Sequence, residues 1–303
     1  MDRDTARVEL LDRLKRAGYR FVTVTPATHA RVIARQQAGP PDLRDVFGWN
    51  RVFEPGDLDS ELLALMERGG MLAAEGDRLR SGLRVASLGT DLFLHSAYPT
   101  ESADAVFFGP DTYRFARFIA ANLEPNFAGH LIDMGAGSGA GGIAAARLAP
   151  RARATLVDSN AAALELAAVN ARAAGIGVKC VQADVLPGGA DLVIANPPYM
   201  MDEGARTYRD GGDMAGGAVA LAWVRDALAR LSPDGVVLLY TGAALVDGQS
   251  PLIEALGETC RGAGAGLHVE ELDPDVFGEE LERPAYAGVE RIAVIGAIIR
   301  TRG

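Results

Sequence analysis

Residues 131 to 143 read LIDMGAGSGAGGI: an apolar run ending in an acid, then glycines at 135, 137, 139, 141 and 142, then a helix-forming stretch. Backbone there must turn tightly and pass close to a ligand or another chain segment. Glycine permits the turn and removes the side chain that would block a ligand, while the new helix offers free N–H groups. Such a loop belongs between a strand and a helix of a parallel sheet, and the chain from about residue 105 agrees, alternating strand, turn and helix. Strands are predicted at His130–Met134, Ala154–Asp158, Val178–Gln182, Asp191–Ala195, Val236–Thr241, Leu267–Leu272 and Arg291–Ile298. The clearest helices are Gly141–Leu148, Ala161–Ala174 and Val219–Leu231, rich in Ala and Leu at helical spacing. The expected fold class is α/β: a seven-stranded, mostly parallel Rossmann-like sheet with helices on both faces.

Gly137, Gly139 and Gly142 also satisfy G-x-G-x-x-G, so the loop alone does not separate a dinucleotide from another nucleoside cofactor. Two acids narrow the reading. Asp158 closes the next strand, 21 residues after Gly137, where a carboxylate can accept hydrogen bonds from both ribose hydroxyls. Asp184 is expected to close the third strand (CVQAD), near where an adenine would lie, and could accept from its exocyclic amine. As plain structural residues, both acids would be helix caps.

The decisive element is DLVIANPPYM, residues 191–200. An apolar strand ends in Asn196-Pro197-Pro198-Tyr199 at the carboxyl edge of the sheet, where open α/β folds bind ligands. Two prolines fix the backbone and remove two donors, leaving the Asn196 side-chain oxygen and the Pro197 carbonyl as acceptors. That pair suits a planar NH2 group, holding both hydrogens and turning the nitrogen lone pair outward. Tyr199 is expected to offer a flat face beside it. A nicotinamide dinucleotide site gives no reason for such a motif.

Residues 1–100 read as a separate accessory or substrate-recognition module. Helices are expected around Val8–Lys15, at Pro26–Gln37 and at Asp59–Arg68, followed by β-prone runs with glycine turns, an α+β, winged-helix-like order. Such modules often touch nucleic acid, but this one carries 14 basic and 16 acidic residues through Asp104. The net charge of −10 also argues against a protein that grips a long duplex through its phosphates. The acidic stretch Glu270–Glu282 is expected to be a solvated loop. Cys180 and Cys260 show no metal-ligand spacing, the N-terminus lacks a signal-peptide core, and the longest apolar stretch is too short to span a bilayer. The expectation is a cytoplasmic chain with free thiols, no metal site and no membrane partner.

The motif Asp133, Gly135, Gly137, Gly139 with Asp158, Asp184 and NPPY resembles the class I S-adenosylmethionine-dependent methyltransferases that modify planar nitrogen. Within these, FFGPDTYRF (107–115), NPPY and DGGDMAGG (210–217) are similar to the release-factor glutamine methyltransferases. GPDTYRF is nearer the DTF pattern of the eukaryotic and archaeal members than the arginine-rich segment of the bacterial ones. The resemblance covers about residues 105–300 and implies S-adenosyl-L-methionine as methyl donor, with S-adenosyl-L-homocysteine as product. It implies that Asp158 holds the ribose, that Asn196 and Pro197 bind the acceptor amide, and that Tyr199 packs beside it. NPPY is shared with adenine methyltransferases of DNA and RNA. Two acceptors therefore stay open: a protein glutamine amide, which the acidic charge and GPDTYRF favour, and an exocyclic amine of a nucleic-acid base.

Overall fold

In the computed structural model, which describes residues 2–35, 39–100, 102–202 and 208–302, the N-terminal segment is built from four helices and two hairpins. Helix α1 (Arg3–Arg16) starts where Asp2 accepts from the Thr5 N–H at 2.8 Å, and it buries Ala6, Leu10, Leu11 and Leu14 along one stripe. Helix α2 (Pro26–Ile33) is capped by Thr25 and ends short of the expected Gln37, which lies outside the described residues. Helices α3 (Leu43–Phe47) and α4 (Ser60–Arg68) follow, then the antiparallel hairpins β1 (Leu72–Glu75) with β2 (Arg78–Ser81), and β3 (Leu83–Leu88) with β4 (Asp91–Ser96). Helices followed by β-prone runs is the expected order, and the runs pair as two hairpins.

After α5 (Pro110–Asn122) come β5 (His130–Met134), α6 (Ala140–Leu148), β6 (Arg153–Asp158), α7 (Ala161–Ala174), β7 (Val178–Gln182), β8 (Ala190–Ala195), α8 (Ala218–Arg230), β9 (Leu231–Leu245), α9 (Pro251–Gly262), β10 (Gly266–Asp273) and β11 (Arg291–Arg300). The sheet order is β7-β6-β5-β8-β9-β11-β10, parallel except for β11, which pairs antiparallel with both β9 and β10. All seven predicted strands fall within these. Phe115, Phe118 and Ile119 of α5 cover one face of the sheet, and Ala220, Leu221 and Val224 of α8 with Leu252 and Leu256 of α9 cover the other.

Two expectations change. Leu10, Leu14, Phe47 and Leu65 form one buried cluster with Leu166 and Val169 of α7, so the segment before residue 100 and the sheet domain share a core. The acidic stretch is not a solvated loop throughout: Glu270–Asp273 belong to β10, and Glu280 is buried, bonded to Arg209 and, at 2.7 Å, to Arg283. Two arginines offset the desolvation that a lone buried carboxylate would suffer. Among the described residues no helix is long and apolar enough to cross a membrane.

Candidate active site

Strand order reverses between β5 and β8, and the crevice at their carboxyl ends is where such sheets bind ligands. The glycine loop leaves β5 there. Gly137 and Gly139 have φ of 53° and 79°, the left-handed region that favours glycine. Gly139 occupies the N-cap of α6 and has no side chain to cap it. Asp133 does this from the strand end, accepting from the Gly142 N–H at 2.7 Å. It is buried, and burial, with the nearby Asp158 charge, pushes its carboxyl up to about 7 against the pull of that hydrogen bond.

Asp158 fixes the loop from β6. One oxygen accepts from the Gly137 N–H at 2.8 Å and the other from the Asn160 N–H at 2.9 Å. Partial burial raises its pKa despite these contacts. Each oxygen keeps lone-pair capacity toward the crevice. Asp184 lies two residues beyond the end of β7, exposed and lining the same crevice. From behind, fully buried Asn170 of α7 donates to the Ser138 carbonyl (2.9 Å) and exchanges bonds with the backbone of Leu94 in β4 (2.8 and 3.0 Å). The N-terminal segment is thus wired to the glycine loop.

The loop after β8 is held by a network that sequence reasoning missed. Asp111, buried in the first turn of α5, accepts from the Tyr199 hydroxyl at 2.6 Å and the Tyr240 hydroxyl at 2.8 Å, with Arg114 3.2 Å away. The Tyr199 ring lies edge-on to Phe277, and a Cβ at Gly242 would enter it. Burial, then the Asp111 charge, drives the Tyr199 phenol well above its ordinary value. Tyr199 is therefore a buried anchor, its hydroxyl held by Asp111, and it lines the cavity wall. Residues 209–217 close against this segment: Met200 N–H donates to Arg209 C=O (3.0 Å) and Gly211 N–H to Met200 C=O (2.7 Å). Asp111 lies within the quoted GPDTYRF, and Tyr240 is a hydroxyl inside an apolar buried strand. That second pattern was the available signal.

Asn196 is half-buried, and its amide makes no hydrogen bond among the described residues. It opens, with Pro197, into a cavity of about 440 Å³ that also reaches Asp133, Gly137, Asp158 and Asp184. The cavity suits a nucleoside-bearing methyl donor: the space a Cβ at Gly137 would take is open, and Asp158 presents two acceptors at a strand end. Trp223 lines it too, over Gly135, where a Cβ would enter the indole.

This sheet order, with a glycine loop after β5 and an acid closing β6, is that of the class I S-adenosylmethionine-dependent methyltransferases. The chain belongs to the methyltransferase small domain family, whose family model matches residues 101–259. A release factor glutamine methyltransferase from Mycolicibacterium smegmatis is 31% identical over 220 residues, 68% of this chain and 72% of that protein. One from Bordetella pertussis is 31% identical over 165 residues, 49% of this chain and 60% of its own length. The ribosomal RNA small subunit methyltransferase C of Escherichia coli is 28% identical over 152 residues, 48% of this chain and 38% of its own. The chain thus spans just over half the length of several of the curated relatives it matches. In fold it is similar to Pyrococcus abyssi Trm5b (TM-score 0.51, 16% identity, covering 77% of this chain and 62% of that one). It is similar also to M. jannaschii TYW2 (TM-score 0.50, 16% identity, covering 73% and 87%).

Proposed function

We propose that this protein transfers a methyl group from S-adenosylmethionine to a planar NH2 group, and that the acceptor is a glutamine side-chain amide of a protein. The observation that carries the reading is the unpartnered Asn196 amide beside Pro197, facing the cavity that Asp158 and the glycine loop also line. When bound, S-adenosylmethionine supplies a methyl already activated by a positively charged sulfur. Asp158 would accept from the ribose hydroxyls, and Asp184, on the same cavity wall, from the adenine amine. Asn196 Oδ1 and the Pro197 carbonyl hold the two acceptor N–H groups, aim the lone pair, and take up the positive charge that develops as nitrogen attacks. No strong base is required beforehand, because the nitrogen becomes acidic as the new bond forms. Tyr199 and Asp111 keep the two acceptors in register by fixing the loop that carries them.

A protein acceptor is supported by the release-factor relatives and by the net charge of −10. The second reading, an exocyclic amine of a nucleic-acid base, is favoured by the ribosomal RNA relative. Incubating cell extract with the enzyme and methyl-labelled S-adenosylmethionine tests the choice. Label released by protease and resistant to nuclease is expected; the reverse pattern selects the second reading.

A further inference from the structure

Four charged side chains form one run of ion pairs that reaches the cavity at Arg209. The Arg209 guanidinium binds in two directions. Its Nε lies 3.3 Å from a carboxylate oxygen of Asp202, whose side chain is 2% exposed, and its Nη2 donates to Glu280. The other Glu280 oxygen accepts from Arg283 at 2.7 Å. Glu280 and Arg283 belong to the connection between β10 and β11, so Arg209 joins that connection to the segment after β8. The connection reaches the same segment a second time: the Tyr286 hydroxyl accepts from the Met201 N–H at 2.8 Å and lies 3.4 Å from Met200 Sδ. Arg209 also acts through its backbone, because its carbonyl accepts from the Met200 N–H at 3.0 Å. Met200 directly follows Tyr199, and only that residue and the rigid Pro197-Pro198 pair separate it from Asn196.

Stability alone is a poor reason for this run. Taking such charges out of water offsets most of what their attraction returns, and well-packed apolar side chains of the same volume would serve as well. The surroundings are already apolar: Val276 and Tyr286 of the same connection pack in one buried cluster with Tyr199 and Met200. What the charges add is a defined geometry, since a planar guanidinium held by two carboxylates at once is fixed in orientation. We propose that Arg209 is a positioning residue for methyl transfer, fixing the segment after β8 so that Asn196 and Pro197 face the acceptor nitrogen. The inference rests on the methyltransferase reading and deepens it, assigning the alignment of that site to a side chain that acts through Met200 and not on the reacting atoms. Misplacement of the reacting groups by about 1 Å is enough to cost about 100-fold in rate, so a residue that aligns them shows its effect in turnover. The contacts of Asp158 with the glycine loop do not pass through Arg209, and cofactor affinity is therefore independent of it.

Transfer of labelled methyl from S-adenosylmethionine to acceptor in cell extract, measured with the full chain over a range of extract amounts, tests this. Arg209→Met removes the charged fork and keeps an extended side chain. It should bind S-adenosylhomocysteine as wild type does and transfer about tenfold or more slowly at every extract amount, saturation included. Arg209→Lys keeps the charge without the fork and should recover only part of the rate. If Arg209→Met does not fold, Glu280→Gln carries the test, since it keeps an oxygen for Arg209 and removes only the charge; a severalfold lower saturated rate with unchanged S-adenosylhomocysteine affinity is then expected. Transfer by folded Arg209→Met within about twofold of wild type overturns the proposal. So does a deficit that disappears at saturating extract, which makes Arg209 an acceptor contact, or an equal fall in S-adenosylhomocysteine affinity, which makes its part structural. Full recovery in Arg209→Lys, or in the fallback a Glu280→Gln rate equal to wild type, overturns it as well. Failure of the methyltransferase reading itself appears separately, as wild-type protein that neither binds S-adenosylhomocysteine nor transfers label.

Discussion

The Tyr199 hydroxyl donates to Asp111 at 2.6 Å across 88 residues of sequence, tying the loop after β8 to the first turn of α5. Tyr199→Phe deletes this donor and leaves the buried carboxylate with Tyr240 and Arg114 alone. A loss of about 1–3 kcal/mol in folding stability is expected, as for other buried hydrogen bonds to a charged group. Urea unfolding checks it. Methyl transfer should fall more than S-adenosylhomocysteine affinity does, because the loop carries the proposed acceptor contacts of Asn196 and Pro197.

Asp158 serves two tasks, so its two obvious variants should differ. Asp158→Ala removes the acceptor for Gly137 and the two proposed ribose contacts, and S-adenosylhomocysteine binding should weaken by roughly 2–4 kcal/mol. Asp158→Asn keeps one acceptor oxygen and should lose less. Calorimetry showing equal losses would mean that the loop contact is unimportant.

Asp133 gives a pH signature. Its folded pKa is about 7 against an ordinary 3.8. Between those values the folded chain keeps a proton that the unfolded chain has released, so this group's contribution to stability falls as pH rises through the window and levels off above about 7. Asp133→Asn retains an oxygen to accept from Gly142 and removes the titration. The variant should gain stability relative to wild type as pH goes from 4 to 7, read from urea midpoints in buffers across that range. A difference independent of pH would contradict the assignment.

Asn170 tests the tie between the two segments. Asn170→Ala leaves the Leu94 N–H and two carbonyls without their partner in a buried setting, and about 3 kcal/mol or more of stability should be lost. Removing residues 1–102 exposes Leu166 and Val169 as well. The truncated chain should be insoluble or unfolded by circular dichroism. A folded, cofactor-binding fragment would restore the sequence-based picture of a detachable module.

What was legible in the sequence follows from range. The glycine loop, Asp158 and NPPY encode their geometry within a few residues, so strand ends and turn chemistry located the crevice. Strands buried on both faces read as apolar runs, which is why β5, β6 and β8 were placed within a residue. Asp111, Tyr240, Asn170 and Arg209 were not readable as a site. Tyr240 meets Asp111 across 129 residues, and Arg209 meets Glu280 across 71. Such pairings exist only once the chain is folded. The NPPY motif marks Tyr199, but its hydroxyl bond to Asp111 is not legible there, because that partner lies on a helix 88 residues away.

In the proposed reaction Asn196 holds the acceptor nitrogen. Transfer of labelled methyl from S-adenosylmethionine to acceptor in cell extract, compared between wild type and Asn196→Ala proteins matched for S-adenosylhomocysteine affinity, tests it most directly. A fall of roughly 100-fold or more is predicted for loss of a preorganised polar contact. Retention of more than about a tenth of wild-type transfer would contradict it.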